Sequence, residues 1–233
     1  MVYRLAIALC CLFLFAPGLS QAQESYVDWD TVTPPAAATF VFDSLTGSVA
    51  VTNGDNWNGS LNSIGTADGS TNYPDAWFTP TPPAALEYLN SGAQNAVGGL
   101  EGSADWVVTF SGPVDDPKFH FVNLDAATID FGTTTDVDSN PVVLIRLSGN
   151  PEFEVTGNVV NSTTAPPSAL GCEDAGGGNP NGGCGTVELS GTYETVVMRV
   201  TDTDTSTGSG DGFSWTISAP GPVPVELIQF TID

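Results

Sequence analysis

ADWVVTFSGPVDDPKFHFVNLDAATIDF, residues 104–131, is the stretch of the sequence that decides the fold. Apolar residues occupy every second position from Trp106 to Phe110, with Val107, Thr109 and Ser111 between and after them, and apolar and polar residues alternate at 118–121. A period of two is typical of a β-strand that buries one face. Glycine, proline and aspartate residues separate the two runs, so the stretch predicts a strand, a loop and a second strand.

The same alternation recurs along most of the chain. The segments that predict further strands are 25–29, 39–43, 48–52, 127–131, 142–148, 152–156, 186–190, 194–202, 212–218 and 225–232. Three tryptophans on such strands are expected in the core: Trp29, Trp106 and Trp215. Residues 142–148, VVLIRLS, are apolar on both faces, which predicts a central strand covered on both sides.

Helical signals are weak throughout the sequence. Residues 53–102 are rich in asparagine, glycine and proline, and within them we expect only a short helical turn that begins near Thr81. No stretch has helical periodicity over three turns. The chain is therefore predicted to be all-β, with a two-sheet β-sandwich of jelly-roll or lectin-like kind.

The first 22 residues have the features of a secretory signal peptide. Arg4 supplies a positive charge, residues 5–15 are apolar, and residues 20–22 offer a small-residue cleavage site. The apolar run is too short to span a bilayer. We therefore expect a signal peptide at 1–22, one β-sandwich domain at 23–219, and a final strand or tail at 220–233. The mature chain is expected to be secreted or extracellular, with surface association left open and no membrane insertion.

The mature chain is strongly acidic. Lys118, Arg146 and Arg199 are the cations that remain against 27 carboxylates, which gives a net charge of −24. Such a surface repels nucleic acid and anionic membranes, so neither is expected as a partner. Cys172 and Cys184 bracket a loop of glycine, asparagine and proline, and in an exported chain this arrangement predicts a disulfide.

Several motifs resemble those of one class of exported proteins. They are YVDW at 26–29, FSGPVDDPKFHFVNLDAATIDF at 110–131, RLSGNPEFEVTGNVV at 146–160 and DGFSWTIS at 211–218. Together they resemble the lectin-like, non-repeat modules of large bacterial surface adhesins and related exported proteins. The resemblance implies a β-sandwich and a role in recognition outside the cell. It carries over no catalytic residue.

The candidate ligand-binding residues lie in the irregular segment. Trp57, Tyr73 and Trp77 stand among asparagines and aspartates that include Asp75. Aromatic faces stack on sugar rings, while amides and carboxylates bind sugar hydroxyls, so this set predicts carbohydrate recognition. The alternative is that the aromatic side chains hold the segment against the core.

An acidic loop late in the chain is a candidate calcium site. Asp202, Asp204, Ser206 and Asp211 supply oxygen side chains in a glycine-containing loop, and calcium binds such oxygens. The loop lacks the glycine and the final glutamate of an EF-hand, so a solvated acidic turn is the alternative. The acidic residues at 136–138 form a weaker candidate.

The sequence offers little support for an enzyme. His120 is the one histidine, and we expect it to face solvent or to make a local hydrogen bond rather than to act as a base. Serine-nucleophile, zinc-helix and Cys-His motifs are absent from the sequence. We therefore expect a non-catalytic, adhesin-like or carbohydrate-binding module whose partner is an extracellular glycan or a surface protein. The first alternative is a structural extracellular or matrix protein, and the second is a polysaccharide-active glycosidase, which needs only two carboxylates.

Overall fold

The computed structural model describes residues 24–54, 59–66, 77–83, 85–94, 102–124, 127–163, 172, 182–203 and 210–221. Within these ranges the chain is nearly all β and forms two antiparallel sheets that pack against each other. This arrangement confirms the predicted two-sheet β-sandwich. No helix in the described ranges is both long enough and apolar enough to cross a membrane. The predicted signal peptide and the predicted strand at 225–232 lie outside these ranges.

Fifteen strands are found among the described residues. They are β1 (Glu24–Tyr26), β2 (Asp28–Thr33), β3 (Ala37–Phe42), β4 (Leu45–Asn53), β5 (Ser60–Thr66), β6 (Glu87–Gln94), β7 (Gly102–Asp115), β8 (Lys118–Leu124), β9 (Ala127–Asp130), β10 (Val143–Gly149), β11 (Phe153–Thr156), β12 (Val159–Ser162), β13 (Gly183–Ser190), β14 (Thr192–Asp202) and β15 (Gly210–Pro220).

The strands are divided between two sheets. Sheet A has the order β10-β13-β8-β15-β6-β5, and β1 pairs with the C-terminal part of β15. Sheet B has the order β11-β12-β9-β14-β7-β4-β3-β2. Each sheet therefore has one face toward the core and one outer face.

Aromatic side chains from the facing surfaces of the two sheets fill the core. Trp106 of sheet B stacks on Phe213 of sheet A, with ring centroids 5.5 Å apart. Trp215 meets the edge of Trp29 at 5.4 Å. The three tryptophans predicted to be in the core are 3%, 0% and 1% exposed in chain order, so that prediction is confirmed.

The prediction of a central strand at 142–148 is wrong. Among the described strands β10 pairs only with β13, at the end of sheet A. Val143 and Ile145 point to the outer face of sheet A and are 57% and 40% exposed, whereas Leu144 packs against the core. Branched apolar residues favour a strand whether or not both of its faces are covered.

Two strands lie in the segment that was expected to be irregular. β5 is an edge strand of sheet A, and β6 is an internal strand between β15 and β5. The helical turn expected near Thr81 is not seen at 81–83 or 85–89, where β6 begins at Glu87. The predicted loop at 112–117 is also shorter than expected, because β7 continues to Asp115.

Candidate functional site

One of the four predicted ligand-binding residues is described, Trp77, and the others lie outside the described residues: Trp57, Tyr73 and Asp75. Trp77 is half-buried on the outer face of sheet A, where it packs against a small apolar cluster that contains Phe78, Val122 and the disulfide. The hydroxyl of Ser148 donates a hydrogen bond to the carbonyl oxygen of Trp77 at 2.8 Å. These contacts hold Trp77 against sheet A, as the alternative interpretation of the aromatic residues expects.

The predicted calcium ligands are described only in part. Asp202 ends β14, where its side chain is fully buried and its backbone pairs with Ala127 of β9. The backbone of Asp211 belongs to β15, while its side chain and the residues Asp204 and Ser206 lie outside the described part. Among the described residues no group of three or more His, Cys, Asp and Glu side chains could hold a metal ion. The calcium site stays a prediction.

The second acidic loop is held together by its own hydrogen bonds. The Asp136 carboxylate accepts from the backbone amides of Asp138 at 2.9 Å and Asn140 at 2.7 Å, and from the side-chain amide of Asn140 at 2.9 Å. These bonds, the one from the Asn140 side chain foremost, lower the pKa of Asp136. Both carboxylate oxygens therefore stabilise the turn.

Cys172 and Cys184 form the predicted disulfide. Asn150, which the sequence analysis did not single out, is buried beside it. The Asn150 amide donates to the carbonyl oxygens of Cys172 at 3.2 Å and Gly182 at 2.7 Å. The side-chain oxygen of Asn150 accepts from the backbone amides of Cys184 at 3.0 Å and Phe153 at 3.1 Å. Asn150 thus ties the disulfide to the turn before β11.

His120 is fully buried on the outer face of sheet A, where the ring of Tyr26 covers it at 5.0 Å. Its Nδ1 lies 2.9 Å from the Thr186 hydroxyl, and its Nε2 lies 2.8 Å from the Ser218 hydroxyl. Burial, and secondarily the charge of Lys118, lowers the pKa of His120 to about 3. The expected local hydrogen bond is confirmed and exposure to solvent is not. Both ring nitrogens are used within the fold.

Lys118, Arg146 and Arg199, the cationic side chains of the described residues, are all bonded within the fold. Lys118 is nearly buried, and its Nζ lies 3.0 Å from the Glu24 carboxylate. Arg199 forms a salt bridge with Asp105 at 3.0 Å. Arg146 donates to two backbone carbonyl groups at 2.9 and 3.0 Å. Lys118 and Arg199 are therefore paired with carboxylates, and the excess of acidic side chains determines the sign of the surface potential.

An open groove of about 480 Å³ lies on the outer face of sheet B, between residues 133–137 and β14. The hydroxyl of Thr134 donates to the carbonyl oxygen of Val197 and accepts from its amide, both at 2.9 Å. The amide of Val137 donates to the carbonyl oxygen of Thr192 at 2.9 Å. These bonds fix the loop beside the part of β14 that β9 does not reach.

The lining of this groove combines hydroxyl, carboxylate and short aliphatic groups. The residues that offer them are Thr133, Thr135, Asp136, Glu194, Thr195 and Val197. Hydroxyls and carboxylates can exchange hydrogen bonds with the hydroxyl groups of a sugar. From the sequence, this region is only a weaker calcium-site candidate at 136–138, because nothing in the local pattern places 133–137 beside 194–197.

No protein-family model matches the sequence, and no curated protein or solved structure matches the chain. The function is therefore inferred from the surfaces of the molecule. Of these, the groove on sheet B is the one that joins open space to several ligand-binding groups.

Proposed function

We propose that this protein is an exported, non-catalytic, adhesin-like module that binds neutral carbohydrate in the groove between residues 133–137 and β14. The observation that carries the proposal is the lining of the groove, where threonine hydroxyls and the carboxylates of Asp136 and Glu194 surround a volume of about 480 Å³. Pockets of this size with a few convergent polar groups are typical of small-ligand sites. The partner would be an extracellular glycan, free or carried by a surface protein.

The Asp136 carboxylate in the groove suits binding better than proton donation. A glycosidase needs one carboxylic acid whose pKa is raised so that it can protonate the leaving group. The pKa of Asp136 is instead lowered by hydrogen bonds from Asn140. An ionised carboxylate that is fixed in this way can accept hydrogen bonds from sugar hydroxyls without transferring a proton.

The cysteine chemistry supports export. A disulfide persists in an oxidising compartment and is rare in a reducing cytosol. The Cys172–Cys184 bond therefore agrees with the predicted signal peptide at 1–22. Calcium in the loop that contains Asp202 is a further part of the proposal and would stabilise the end of β14.

A glycan array probed with the purified protein tests the proposal. Glu194→Gln and Thr195→Val should each weaken binding roughly tenfold, because the first replaces a charged acceptor with a neutral amide and the second removes a hydroxyl. Glu154→Gln, on the exposed side of β11, changes the charge equally and should leave binding unchanged. The melting temperature of all three variants should match that of the wild type.

Other results would support the alternatives. If no neutral glycan is retained, the carbohydrate proposal is wrong and a structural extracellular role leads. Cleavage of a polysaccharide that one carboxylate substitution abolishes would favour the glycosidase. The array repeated with a calcium chelator tests the metal, because binding and melting temperature should both fall if calcium occupies the Asp202 loop. Trp57→Ala in the same array tests the aromatic prediction.

A further inference from the structure

The outer face of sheet B carries two cross-strand rows without a charged side chain. Backbone pairing aligns one residue from each of five neighbouring strands, β2, β3, β4, β7 and β14, to form a row that we call the hydroxyl row: Thr31, Thr39, Ser48, Thr109 and Thr195. The next outward-facing row, toward the N-terminal end of β3, is the one that we call the aliphatic row: Ala37, Ala50, Val107 and Val197.

Both rows face away from the core. Neighbours of the row residues along β3, β4 and β7 are buried, as Phe40, Val49 and Val108 illustrate, and successive side chains of a strand point to opposite faces. Four of the five hydroxyl-row residues are exposed, and Ser48 is half-buried. The hydroxyls of Thr31 and Thr39 lie 2.8 Å apart, which confirms that they share a face.

We infer that these two rows bind one extended, neutral polysaccharide chain that lies across the five strands. The inference rests on the proposed carbohydrate-binding function and specifies its ligand. Neighbouring strands are about 4.8 Å apart, so the hydroxyl row spans about 19 Å. A pyranose ring in an extended polysaccharide advances the chain by nearly the same distance as one strand, so the row matches roughly four sugar units.

The chemistry of the two rows matches the two kinds of surface on such a chain. Each threonine or serine hydroxyl has one donor and two acceptor positions. The hydroxyls of Thr31 and Thr39 already bond to each other and to Asp30, so these two offer acceptor positions to sugar hydroxyls. The methyl groups of the aliphatic row offer apolar contact to the C–H faces of the rings. Thr195 and Val197 belong both to these rows and to the groove, so one continuous surface runs from β2 to residues 133–137.

The negative charge of the protein favours a neutral polysaccharide over an anionic one. Asp30, whose carboxylate accepts hydrogen bonds from Thr31 and Thr39, lies at one end of the hydroxyl row, and the carboxylate of Glu194 lies at the other. The protein as a whole carries a net charge of −23. An anionic polysaccharide would be repelled along its whole length.

The twist of the sheet favours binding of a single polysaccharide chain over binding to the flat surface of a crystalline polysaccharide. Neighbouring strands rotate by about 20–25° on average, so the direction of the strands turns by roughly 80–100° across the four intervals of the row. A planar surface would touch only part of such a face, whereas a flexible chain can follow it.

Calorimetric titration of the protein with neutral β-1,4-linked glucan oligosaccharides, from disaccharide to hexasaccharide, tests the inference. Affinity should rise with length until about four sugars fill the row. Thr39→Val and Thr109→Val remove a hydroxyl but keep the branched shape, and each should weaken binding of the longer oligosaccharides roughly 3- to 10-fold. Thr66→Val, on the exposed edge strand β5 of sheet A, is the matched control and should bind like the wild type. Alginate, an anionic polysaccharide, should not bind.

The outcomes separate this inference from the proposed function. If Glu194→Gln weakens binding roughly tenfold while Thr39→Val and Thr109→Val do not change it, the groove alone binds sugar. The inference is then overturned and the proposed function stands. If neither these oligosaccharides nor any array glycan binds, both fail. If sedimentation velocity gives a dimer that Thr109→Glu dissociates, the face pairs two copies of the chain and the inference is overturned.

Discussion

Acidification should destabilise the fold through one side chain. His120 is fully buried, and its pKa is lowered to about 3, whereas an imidazole in the unfolded chain titrates near 6.5. Between these two values the unfolded state binds a proton that the folded state excludes. The stability associated with neutral His120 is therefore complete above pH 6.5 and is lost as the pH falls from 6.5 toward 3.

The hydrogen bonds around His120 explain why the neutral form is preferred. The Thr186 hydroxyl accepts from the Thr79 amide at 3.1 Å, so it can donate its own proton to Nδ1. The Ser218 hydroxyl donates to Glu24 at 2.8 Å, so it can accept a proton from Nε2. The Nε2–H tautomer satisfies every group in this chain. A proton on Nδ1 would leave Thr186 without an acceptor for its hydroxyl.

The magnitude follows from the two pKa values. Each pH unit below 6.5 costs about 1.4 kcal/mol while the folded state remains neutral, so the loss through His120 at pH 5 is about 2 kcal/mol. The carboxylates of this acidic chain also titrate as the pH falls, and they change the total stability. The carboxylates are the same in the wild type and in His120→Gln, so the difference between the two proteins isolates the contribution of His120. Glutamine suits this comparison because it keeps one donor and one acceptor and does not titrate.

Urea unfolding of the wild type and His120→Gln at pH 7.5 and pH 5 measures the effect. We expect the wild type to lose about 2 kcal/mol more than the variant over this interval. Because the chain has one histidine, its imidazole C–H resonance can be followed directly by NMR and should not titrate between pH 7.5 and pH 5. A midpoint near 6.5, or equal pH dependence in the two proteins, would refute the reasoning.

Three further predictions concern stability. Reduction of the Cys172–Cys184 bond, which closes a loop with a sequence separation of 12, should lower the free energy of unfolding by about 3 kcal/mol in urea; unchanged stability would contradict it. Asn150→Ala should cost about 3 kcal/mol, because four buried groups lose their hydrogen-bond partner, and a loss under roughly 1 kcal/mol would argue against that role. Ile145→Thr on the exposed side of β10 should change stability by less than about 0.5 kcal/mol, whereas Val187→Thr on the buried side of β13 should cost about 2 kcal/mol. Equal losses of stability in Ile145→Thr and Val187→Thr would indicate that Ile145 is buried, as the central strand predicted at 142–148 requires.

The alternating pattern located strands well but did not reveal what covers them. β7 and β8 are both found in the stretch at 104–131. The pattern predicts one buried face for β8, yet both of its faces are buried, because Tyr26 and Phe78 pack over His120 from distant parts of the chain. In β10 the opposite occurs: the pattern predicts that both faces are covered, yet Val143 and Ile145 are exposed. Burial on the outer face of a sheet depends on long-range packing, which a local period of two does not contain.

β6 was missed for a different reason. Its sequence, EYLNSGAQ, contains glycine, serine and asparagine, which are typical of loops. In the structure Leu89 and Ser91 face the core, and the Trp215 indole donates to the Ser91 hydroxyl at 3.0 Å. A polar residue is thus accepted in the core because a tryptophan on the neighbouring strand gives it a hydrogen bond.

The hydroxyl row depends on strand register, and register is the property that a sequence pattern determines least. Tyr193 pairs with Val114, and if that register continued along the two strands, the core residue Met198 would stand opposite Thr109. The irregularity in β7 and β14 after Tyr193 resets the register, so that Thr195 pairs with Thr109. A register change by an odd number of residues exchanges the core face of a strand for its outer face.

The Gly-Pro pair at 112–113, which was predicted to lie in a loop, lies within this irregular part of β7, where proline cannot donate a ladder hydrogen bond. Gly112 and Pro113 therefore make the end of β7 hard to predict from the sequence, and they also lie where the register shift that aligns the hydroxyl row occurs.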